Sequence, residues 1–482
     1  MAYLTEYYKN KCEKLAKKIK DLESQLNEEK RQYDPAASPL LVSTRLPDDP
    51  AIGDPHKLYG SKRVVVGMDA MEPEHKIRMG KMLKSNIAPS SSDAGVYHTI
   101  LGPTENLGDE EAVDLLGQRA KRNIEWSLDR AQSLPELAQR SQQWYVGANK
   151  ISEHIGKRYG HDTHIVAGVM ASLSPQKDWY QNASLGERLI HIHKEHQNTP
   201  WSPEMEKISE KVFKETDPEH QEGLQKIRGK TLAEVEDPTH AAMWIRAFDE
   251  AHHPRHYRSI TPEGNFGEHV VTQGKKRATA AWGSFGEIGN AVKILRSNGD
   301  METISKSLGT GHKVRSFYNN IVQPNNPDRP DVTGDTHHIG VANADFTLAA
   351  KHPVVGRGLG GSPTSKKTGL KGTYPVYKDA TVAVAQERGM IPNAVQSVVW
   401  DEKRSANVGT AQKKEIQDVH SAMRAGTMSH EQLLKRLEKI HGPVKPTTWM
   451  SAKPLPLSMR GSTFLESLKQ KISKMLNESK KL

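Results

Sequence analysis

The stretch that decides the fold is DMETISKSLGTGHKVRSFYNNI, Asp300–Ile321. Met301–Leu308 has the residue pattern of a short helix, and Lys313–Ile321 has that of a second one. The Gly309-Thr310-Gly311 turn between them can fold the two helices into a hairpin, because glycine adopts backbone angles that other residues avoid. The amides that open the second helix then point outward, where they can hold a phosphate oxygen without reading base sequence.

Two further segments carry residues typical of a chemical site. The first, DVTGDTHHIGVANA (Asp331–Ala344), has Asp335 at the start of an apolar helix, 335 − 313 = 22 residues after Lys313. Taken alone, an acidic residue in that position is most simply a helix N-cap. The second, VAGVMASLSPQKDWY (Val166–Tyr180), has an apolar helix that ends at Leu173. A polar Ser-Pro-Gln turn follows it, since proline does not fit inside a helix.

In their order along the chain, the three segments resemble the motifs of the helix-hairpin-helix and Gly/Pro-rich-loop–Asp (HhH-GPD) DNA glycosylases, the superfamily that contains endonuclease III. The family motifs are a leucine–serine–any–glutamine turn, a glycine–any–glycine–any–lysine hairpin and an aspartate–threonine–histidine helix start. The matching residues are, in chain order, Leu173, Ser174, Gln176, Gly309, Gly311, Lys313, Asp335, Thr336 and His337. The match covers roughly Val166–Ala349, under half of the chain. The resemblance implies an all-α, helix-hairpin-helix glycosylase-like core.

The chain departs from the family pattern at the hairpin and beyond it. Gly309 follows Leu308 directly, where the family usually has a proline, and the polar Thr310 replaces a small apolar residue. An insertion, PNNPDRPD, lengthens the path to Asp335, and the iron–sulfur loop of some family members is absent. These differences leave open the base that is recognised and whether activity is retained.

The resemblance implies a role for each matching residue. Lys313 has the position of the lysine that attacks C1′ of a flipped nucleotide, expels the base and leaves a Schiff base that can lead to strand cleavage. Asp335 would stabilise positive charge on the sugar or accept the lysine proton. Gln176 would fill the gap that the extruded base leaves in the duplex. The hairpin residues expected to contact DNA are Gly309, Gly311, His312 and Arg315.

The composition narrows the class of protein and the classes of site. The 482 residues carry a net charge of +10, and the isoelectric point is near 9.2. Such an excess is common in soluble proteins; its more specific interpretation is a nucleic-acid partner. The single cysteine, Cys12, excludes an internal disulfide and a cysteine-ligated zinc or iron–sulfur centre within one chain. Because no signal-peptide core and no run of 18 apolar residues is present, we expect an intracellular (cytoplasmic) protein without a membrane span, free or virion-associated.

Four regions are predicted along the chain. Residues 1–32 have the apolar spacing of a coiled coil, so this helix either pairs copies of the chain into a homo-oligomer or lies on its own core. Residues 33–106, rich in Pro, Gly, Ser and Asp, predict an extended N-terminal arm or linker. Residues 107–410 are the glycosylase-like helical domain. Residues 411–482 hold C-terminal helices and a basic tail whose last part is an amphipathic helix.

Two stretches interrupt the predicted helical domain. A long insertion at about 198–285 separates the first motif from the hairpin, and a Gly/Ser/Lys-rich loop at about 355–374 either follows phosphates or is simply mobile. Almost nothing alternates with period two, so an all-α core is expected. Helices outside the hairpin are predicted at Trp144–Tyr159, His164–Leu173, Trp179–His196, His240–Glu250, Gly286–Arg296 and Val376–Arg388, and over GDEEAVDLLGQRAKRNIEWSLDRA.

Two groups of histidines are candidate metal ligands. They are His252, His253 and His256, and separately His191, His193 and His196. Neither group has the HExxH pattern or support from a cysteine, and Pro254 interrupts the first one. We therefore expect surface histidines, no metal site and no cofactor, because lysine-based base excision needs neither.

The leading functional hypothesis is a DNA glycosylase that excises a damaged or modified base from duplex DNA, with lysine-dependent abasic-site lyase activity as an extension. The first alternative is a non-catalytic DNA-binding or virion protein that reuses the scaffold and associates with a phage particle. The second is a transferase that builds modified bases in phage DNA. Tyr374–Arg404 also resembles a segment of phage-type proteins related to this superfamily, which indicates a viral context. Lys313 and Asp335 together favour an enzyme, whereas the altered hairpin and long appendages favour the alternatives.

Overall fold

The structure is a computed structural model that describes residues 62–64, 66, 73–84, 107–214, 216–272, 275–325, 331–359, 372–406, 408–447 and 452–453. All of them belong to one compact unit of the chain. The predicted coiled coil at 1–32 and the predicted amphipathic helix of the C-terminal tail lie outside these residues. Among the residues described, no helix is both long enough and apolar enough to cross a membrane.

The described residues are mostly helical, as the sequence predicts. The first nine α-helices are α1 (Pro73–Lys84), α2 (Asp109–Gln132), α3 (Pro135–Gln142), α4 (Trp144–Tyr159), α5 (Thr163–Ser172), α6 (Trp179–Glu195), α7 (Pro203–Val212), α8 (Pro218–Ile227) and α9 (Pro238–His252). The other nine are α10 (Phe285–Arg296), α11 (Met301–Ser307), α12 (His312–Val322), α13 (Thr336–Ala342), α14 (Pro353–Leu359), α15 (Tyr374–Arg388), α16 (Pro392–Ser405), α17 (Thr410–Arg424) and α18 (His430–His441). The all-α class is confirmed at this level, and the predicted helices are present with ends shifted by a few residues.

Helix α5 is the centre of the core. Every residue from His164 to Ser172 is buried, and the helix packs against α4, α10 and α12. A helix that is apolar all round belongs in the interior. Gly168 allows α10 to approach closely, because a Cβ there would lie 3.0 Å from the Ile294 side chain. The turn that follows α5 is therefore held on a rigid support.

The predicted insertion is a small layer of its own that rests on the core. It contains α7, α8, a short 3-10 helix (Leu232–Glu234), α9 and two strands, β1 (Arg258–Ile260) and β2 (Phe266–His269). The strands form a two-stranded antiparallel sheet that the sequence did not indicate, because each strand is too short to show alternation. Helix α9 packs on α10 and on α6, so the insertion is joined to the core by apolar contacts.

Two predicted irregular segments contain helices. The segment 33–106 was expected to be extended, but it includes α1, which buries Met79 and Leu83 against α2. Gly80 makes this packing close, since a Cβ there would clash with the backbone of Asp109. The loop expected at about 355–374 likewise begins inside α14. Tertiary contacts contribute to the stability of both helices, because helices of 12 and 7 residues are marginal on their own.

The described part of the arm before α1 docks on α12, the second helix of the hairpin. The Asn319 side chain accepts a hydrogen bond from the Val64 amide (2.9 Å) and donates one to the Val64 carbonyl (2.8 Å). Val64 is fully buried, and Tyr318 donates to the carbonyl of Lys62 (2.8 Å). Arg63 forms a buried ion pair with Asp331, so the arm also fixes the segment before Asp335.

We expect Asn319→Leu to lower the free energy of unfolding by about 2 kcal/mol, because it leaves a buried backbone amide and carbonyl without partners. Urea denaturation measures the loss, and limited proteolysis should cut faster between residues 60 and 70. Gln417→Leu, the same type of change at an exposed position of α17, is the control and should leave both readouts unchanged. Equal effects of the two substitutions would contradict the docking role of Asn319.

Candidate functional site

A cleft of about 70 Å³ lies where the three sequence motifs meet. Its walls come from the start of α4, the turn after α5, the start of α6, the hairpin helix α12, the segment before α13, and α16. The lining residues are Trp144, Tyr145, Ser174, Lys177, Trp179, Asn182, Lys313, Phe317, Thr333, Asp335, Gln396, Ser397 and Trp400. Lys313 and Asp335, 22 residues apart in the chain, thus share one cleft.

The hairpin between α11 and α12 is locked from the inside by Arg315. This residue is fully buried, and its guanidinium donates to the carbonyls of Ser305 (2.8 Å) and Gly309 (2.7 Å) and to the Ser305 hydroxyl (2.7 Å). Gly309 has a φ of +66°, in the left-handed region that favours glycine. The guanidinium therefore satisfies carbonyls at the end of α11, which have no partner within that helix.

The burial of two hairpin side chains corrects part of the expected DNA contact. Arg315 is enclosed by the hairpin, and His312 is 1% exposed with its ring 5.1 Å from that of Tyr374. Their side chains are therefore not on the surface that a duplex would meet. The sequence could not reveal this, because a basic residue beside a glycine turn has the same pattern whether it points inward or outward.

The tip of the hairpin, by contrast, is open. Thr310 and Gly311 are exposed, and a Cβ added at Gly309 or Gly311 would meet no atom within 4 Å. Gly311 is the N-cap of α12 and provides no side-chain cap for the first amides of that helix. These amides, together with the positive end of the helix dipole, can bind an anion such as a phosphate.

Asp335 is the N-cap of α13 and also a cleft carboxylate. One carboxylate oxygen accepts from the His338 amide (2.9 Å), and the other accepts from the Trp400 indole (2.9 Å). Burial alone raises the pKa of Asp335, but the charges of His337 and Lys313 and these two hydrogen bonds outweigh it, so the pKa is lowered. Asp335 is therefore ionised at neutral pH, and the N-cap interpretation and the site interpretation are both compatible with its position.

The segment that presents Asp335 is held by two side chains from other helices. Tyr374 donates to the Val332 carbonyl (2.6 Å) and accepts from the Gly334 amide (2.8 Å). Asn320 donates to the Asp331 carbonyl (3.2 Å) and to the Thr333 hydroxyl (3.0 Å). These contacts fix the backbone on both sides of the carboxylate, as a chemical site requires.

Lys313 lies in the first turn of α12 and is half-buried. Within the described residues its amine has neither a hydrogen-bond acceptor nor an ion-pair partner at contact distance, yet its charge contributes to the lowered pKa of Asp335. The amine is thus close to a carboxylate and not engaged by it. That arrangement suits a group that must lose a proton and approach a substrate atom.

Gln176 lies on the rim of the cleft. It is exposed, its φ is +57°, and its neighbours Ser174 and Lys177 line the cleft. A left-handed conformation is uncommon for a residue other than glycine, and such strain is concentrated at functional sites. The turn therefore projects this side chain outward from a rigid support, although Gln176 does not line the cleft.

Five aromatic side chains line the cleft, and none of them was predicted from the sequence. Trp144 lies at the centre, with its ring centroid 4.8 Å from those of Tyr145 and Trp179 and 6.1 Å from those of Phe317 and Trp400. One signal was present: Phe317 is four residues after Lys313 and so shares its helix face. The wall residues from α4 and α16 are far from every motif, and no local pattern marks them.

Three polar atoms of cleft residues have no hydrogen-bond partner among the described residues. They are the indole nitrogen of Trp144, the hydroxyl of Ser174 and the amide oxygen of Asn182, on residues that are 9%, 6% and 2% exposed. Buried polar groups are nearly always paired in folded proteins, so these three atoms are candidate hydrogen-bonding groups for a ligand in the cleft. The set includes a donor, an acceptor and a hydroxyl that can serve as either.

A second lysine, Lys403, lies behind Asp335. It is 5% exposed, its amine is 3.5 Å from the Thr336 carbonyl, and it does not line the cleft. Burial lowers the pKa of Lys403 to about 8, although the carboxylates of Asp335, Asp345 and Glu402 act in the opposite direction. Lys403 thus adds positive charge near Asp335 without access to a substrate.

Comparison with known proteins leaves the cleft unassigned. The model of a family of unknown function (DUF7178) matches residues 112–233, which extend from α2 into the insertion. No curated protein matches the chain, and no solved structure matches it. The family match includes the turn at Ser174 and ends well before Lys313 and Asp335.

The lowered pKa of Lys403 predicts a pH-dependent contribution to stability. A buried lysine whose folded pKa lies below its unfolded value binds fewer protons in the folded state, so it is destabilising at neutral pH. This loss of stability disappears as pH rises from about 8 to about 10.5, because the amine loses its charge over that range. We expect Lys403→Met to raise the free energy of unfolding more at pH 7 than at pH 10, and the difference between the two gains should be up to about 3 kcal/mol. Urea denaturation of both proteins at the two pH values measures this, and a pH-independent difference would refute the prediction.

Proposed function

We propose that the cleft binds an extruded nucleotide of duplex DNA and that Lys313 and Asp335 excise its base, as in a DNA glycosylase with abasic-site lyase activity. The observation that carries the proposal is the shared cleft of an unengaged lysine amine and an ionised carboxylate, beside an uncapped helix start. The order of the three motifs along the chain supports it. That the protein excises a base, and that it has retained this activity, are both part of the proposal.

The first element of the proposal is phosphate binding at the hairpin tip. The exposed Gly311 and the open amides of α12 would hold the backbone next to the extruded nucleotide. The net charge of +10 supplies general attraction to a polyanion. Because the side chains of Arg315 and His312 are buried, the main-chain amides of the protein are expected to contact the DNA phosphates. These contacts are therefore independent of base sequence.

The second element is the base itself. The rings around Trp144 offer flat apolar faces for stacking, and the unpaired atoms of Trp144, Ser174 and Asn182 offer hydrogen bonds to a base edge. The enclosed volume of about 70 Å³ holds only a few water molecules. A base would therefore occupy the open mouth or widen the cleft by side-chain rotation. Gln176, on the rim, would enter the gap left in the duplex.

The third element is the reaction. The Lys313 amine forms a bond to C1′ while the bond between C1′ and the base breaks, and the electron pair leaves with the base. Asp335 stabilises the positive charge that develops on the sugar and can accept the proton that the amine releases. Ring opening then gives an imine between Lys313 and C1′. Lys177, which also lines the cleft, would add a positive charge near the DNA backbone.

An abasic-site duplex tests the lysine without knowledge of the base. The aldehyde at C1′ condenses with an amine to an imine and water, and borohydride reduces the imine to a stable secondary amine. We expect the full chain to be trapped on this DNA and Lys313→Gln to reduce trapping at least 100-fold. Lys306→Gln is the matched control, because Lys306 lies exposed on the same hairpin and pairs with Glu302. It should be trapped like the unchanged protein.

Asp335→Asn and a panel of base lesions extend the same experiment. Base release should slow markedly in Asp335→Asn while the protein stays folded, since asparagine is also a good N-cap. Trapping of Lys313→Gln at the unchanged level would refute the role of the lysine. If neither trapping nor base release occurs on any lesion while DNA still binds, the alternative of a non-catalytic DNA-binding or virion protein replaces the enzyme.

DNA binding is tested at the hairpin tip. We expect Thr310→Glu to weaken duplex binding about tenfold, because a negative charge next to the open amides repels phosphate. Thr410→Glu is the control, since Thr410 is also exposed and begins a helix, α17, outside the cleft. Affinity of the unchanged protein should fall as salt rises from 50 to 200 mM. Binding that is insensitive both to salt and to Thr310→Glu contradicts the phosphate contact.

A further inference from the structure

Three histidines from two different parts of the sequence meet in the fold. His191 lies in α6, His196 follows the end of α6, and His253 follows the end of α9. Each offers a ring nitrogen, and these three nitrogens all lie within 4.8 Å of one another. Along the sequence these residues fall into two groups, for which surface positions are predicted. That prediction is wrong for His191 and His253, which are 2% and 9% exposed.

A carboxylate orients one of the three rings. Asp249 accepts a hydrogen bond from Nδ1 of His253 (2.9 Å), which leaves Nε2 of that ring as the metal-binding atom. Arg188 donates to the same carboxylate (3.0 Å), and the Trp282 indole donates to its other oxygen (2.9 Å). A carboxylate behind a histidine is the usual outer partner of a metal-bound imidazole, because it fixes the tautomer and raises the basicity of the ligand.

The ends of two helices around the cluster favour a bound cation. His196 and His253 each cap the C-terminus of a helix, where the partial charge of the helix dipole is negative.

We propose that His191, His196 and His253 bind one divalent transition-metal ion of the zinc type, with water as the fourth ligand. Imidazole nitrogen suits zinc, and three histidines complete all but one position of a tetrahedron. Bound nitrogens would lie about 3.3 Å apart, given Zn–N bonds of about 2.0–2.1 Å. The present separations, up to 4.8 Å, close to that value by small rotations of the rings.

The ion would join the insertion to the core. His191 lies in α6 and His196 caps its C-terminus, and α6 comes before the insertion in the chain, whereas His253 and Asp249 belong to the insertion. The cleft residue Trp179 starts α6, so His191 lies 191 − 179 = 12 residues further, about 18 Å along the helix. The metal site is therefore separate from the cleft, and the inference does not depend on the proposed function.

Zinc content and thermal stability of the untagged full chain test the site. After chelation and return to excess zinc followed by desalting, we expect one zinc per chain by elemental analysis. The melting temperature should rise by several degrees with zinc and fall again with a chelator. Cobalt substituted for zinc should give the intense visible absorption of a tetrahedral site.

Matched variants assign the binding to these residues. His196→Gln, at the partly exposed position of the cluster, should weaken zinc binding at least 100-fold while the protein stays folded without metal. His252→Gln is the control, because His252 is next to His253 but lies outside the cluster and contacts Ser202. Asp249→Asn should weaken binding 10- to 100-fold. The proposal is overturned if the chain retains less than 0.1 zinc per chain, or if His196→Gln binds zinc as tightly as His252→Gln.

Discussion

The guanidinium of Arg315 holds together the one piece of structure on which the cleft depends. A turn of only four residues brings two helix ends of opposite polarity against each other, and the guanidinium donates hydrogen bonds to the carbonyls of Ser305 and Gly309. A planar group with several fixed donors can satisfy both carbonyls and a hydroxyl at once, which a lysine could not do. With this group in place, α12 starts at a fixed angle, its amides face outward and Lys313 faces the cleft.

The opposite side of the cleft follows the same principle of rigid support. Helix α5 is buried on all sides, so the turn at Ser174 and Gln176 begins from an immobile end. Asp335 is fixed by contacts from α12, α15 and α16, through Asn320, Tyr374 and Trp400. The docked arm adds the pair of Arg63 with Asp331. Asp335 and the turn at Ser174 are thus held in place by residues other than the lysine and the carboxylate of the proposed reaction.

The inserted segment is joined to the core by a different set of interactions. Its helices α7 and α8 pack on α9, and α9 in turn packs on α6 and α10, while strand β1 packs on α6. The buried group of Arg188, Asp249 and His253 lies at this junction, where an uncompensated charge would be costly. A metal ion at the three histidines would add a further cross-link at the same junction, far enough from the cleft to leave its geometry independent.

The sequence alone determined the helical class, the hairpin and the positions of Lys313 and Asp335 at helix starts. These features depend on local rules: the 3.6-residue apolar period, glycine at a left-handed turn, and an acidic side chain at a helix N-terminus. Short-range information of this kind survives in one sequence, so most predicted helices agree with the structure to within a few residues.

Tertiary structure decided what those residues face. It turned Arg315 and His312 inward, because a helix residue beside a turn can point to either side and only packing selects one. It built the cleft wall from Trp144 and Trp400, which are 256 residues apart in the chain. It also combined one histidine of the insertion with one in α6 and one that caps α6, across a chain separation that no local pattern spans. Pairings over such distances depend on burial and on the satisfaction of polar groups, which are properties of the folded chain as a whole.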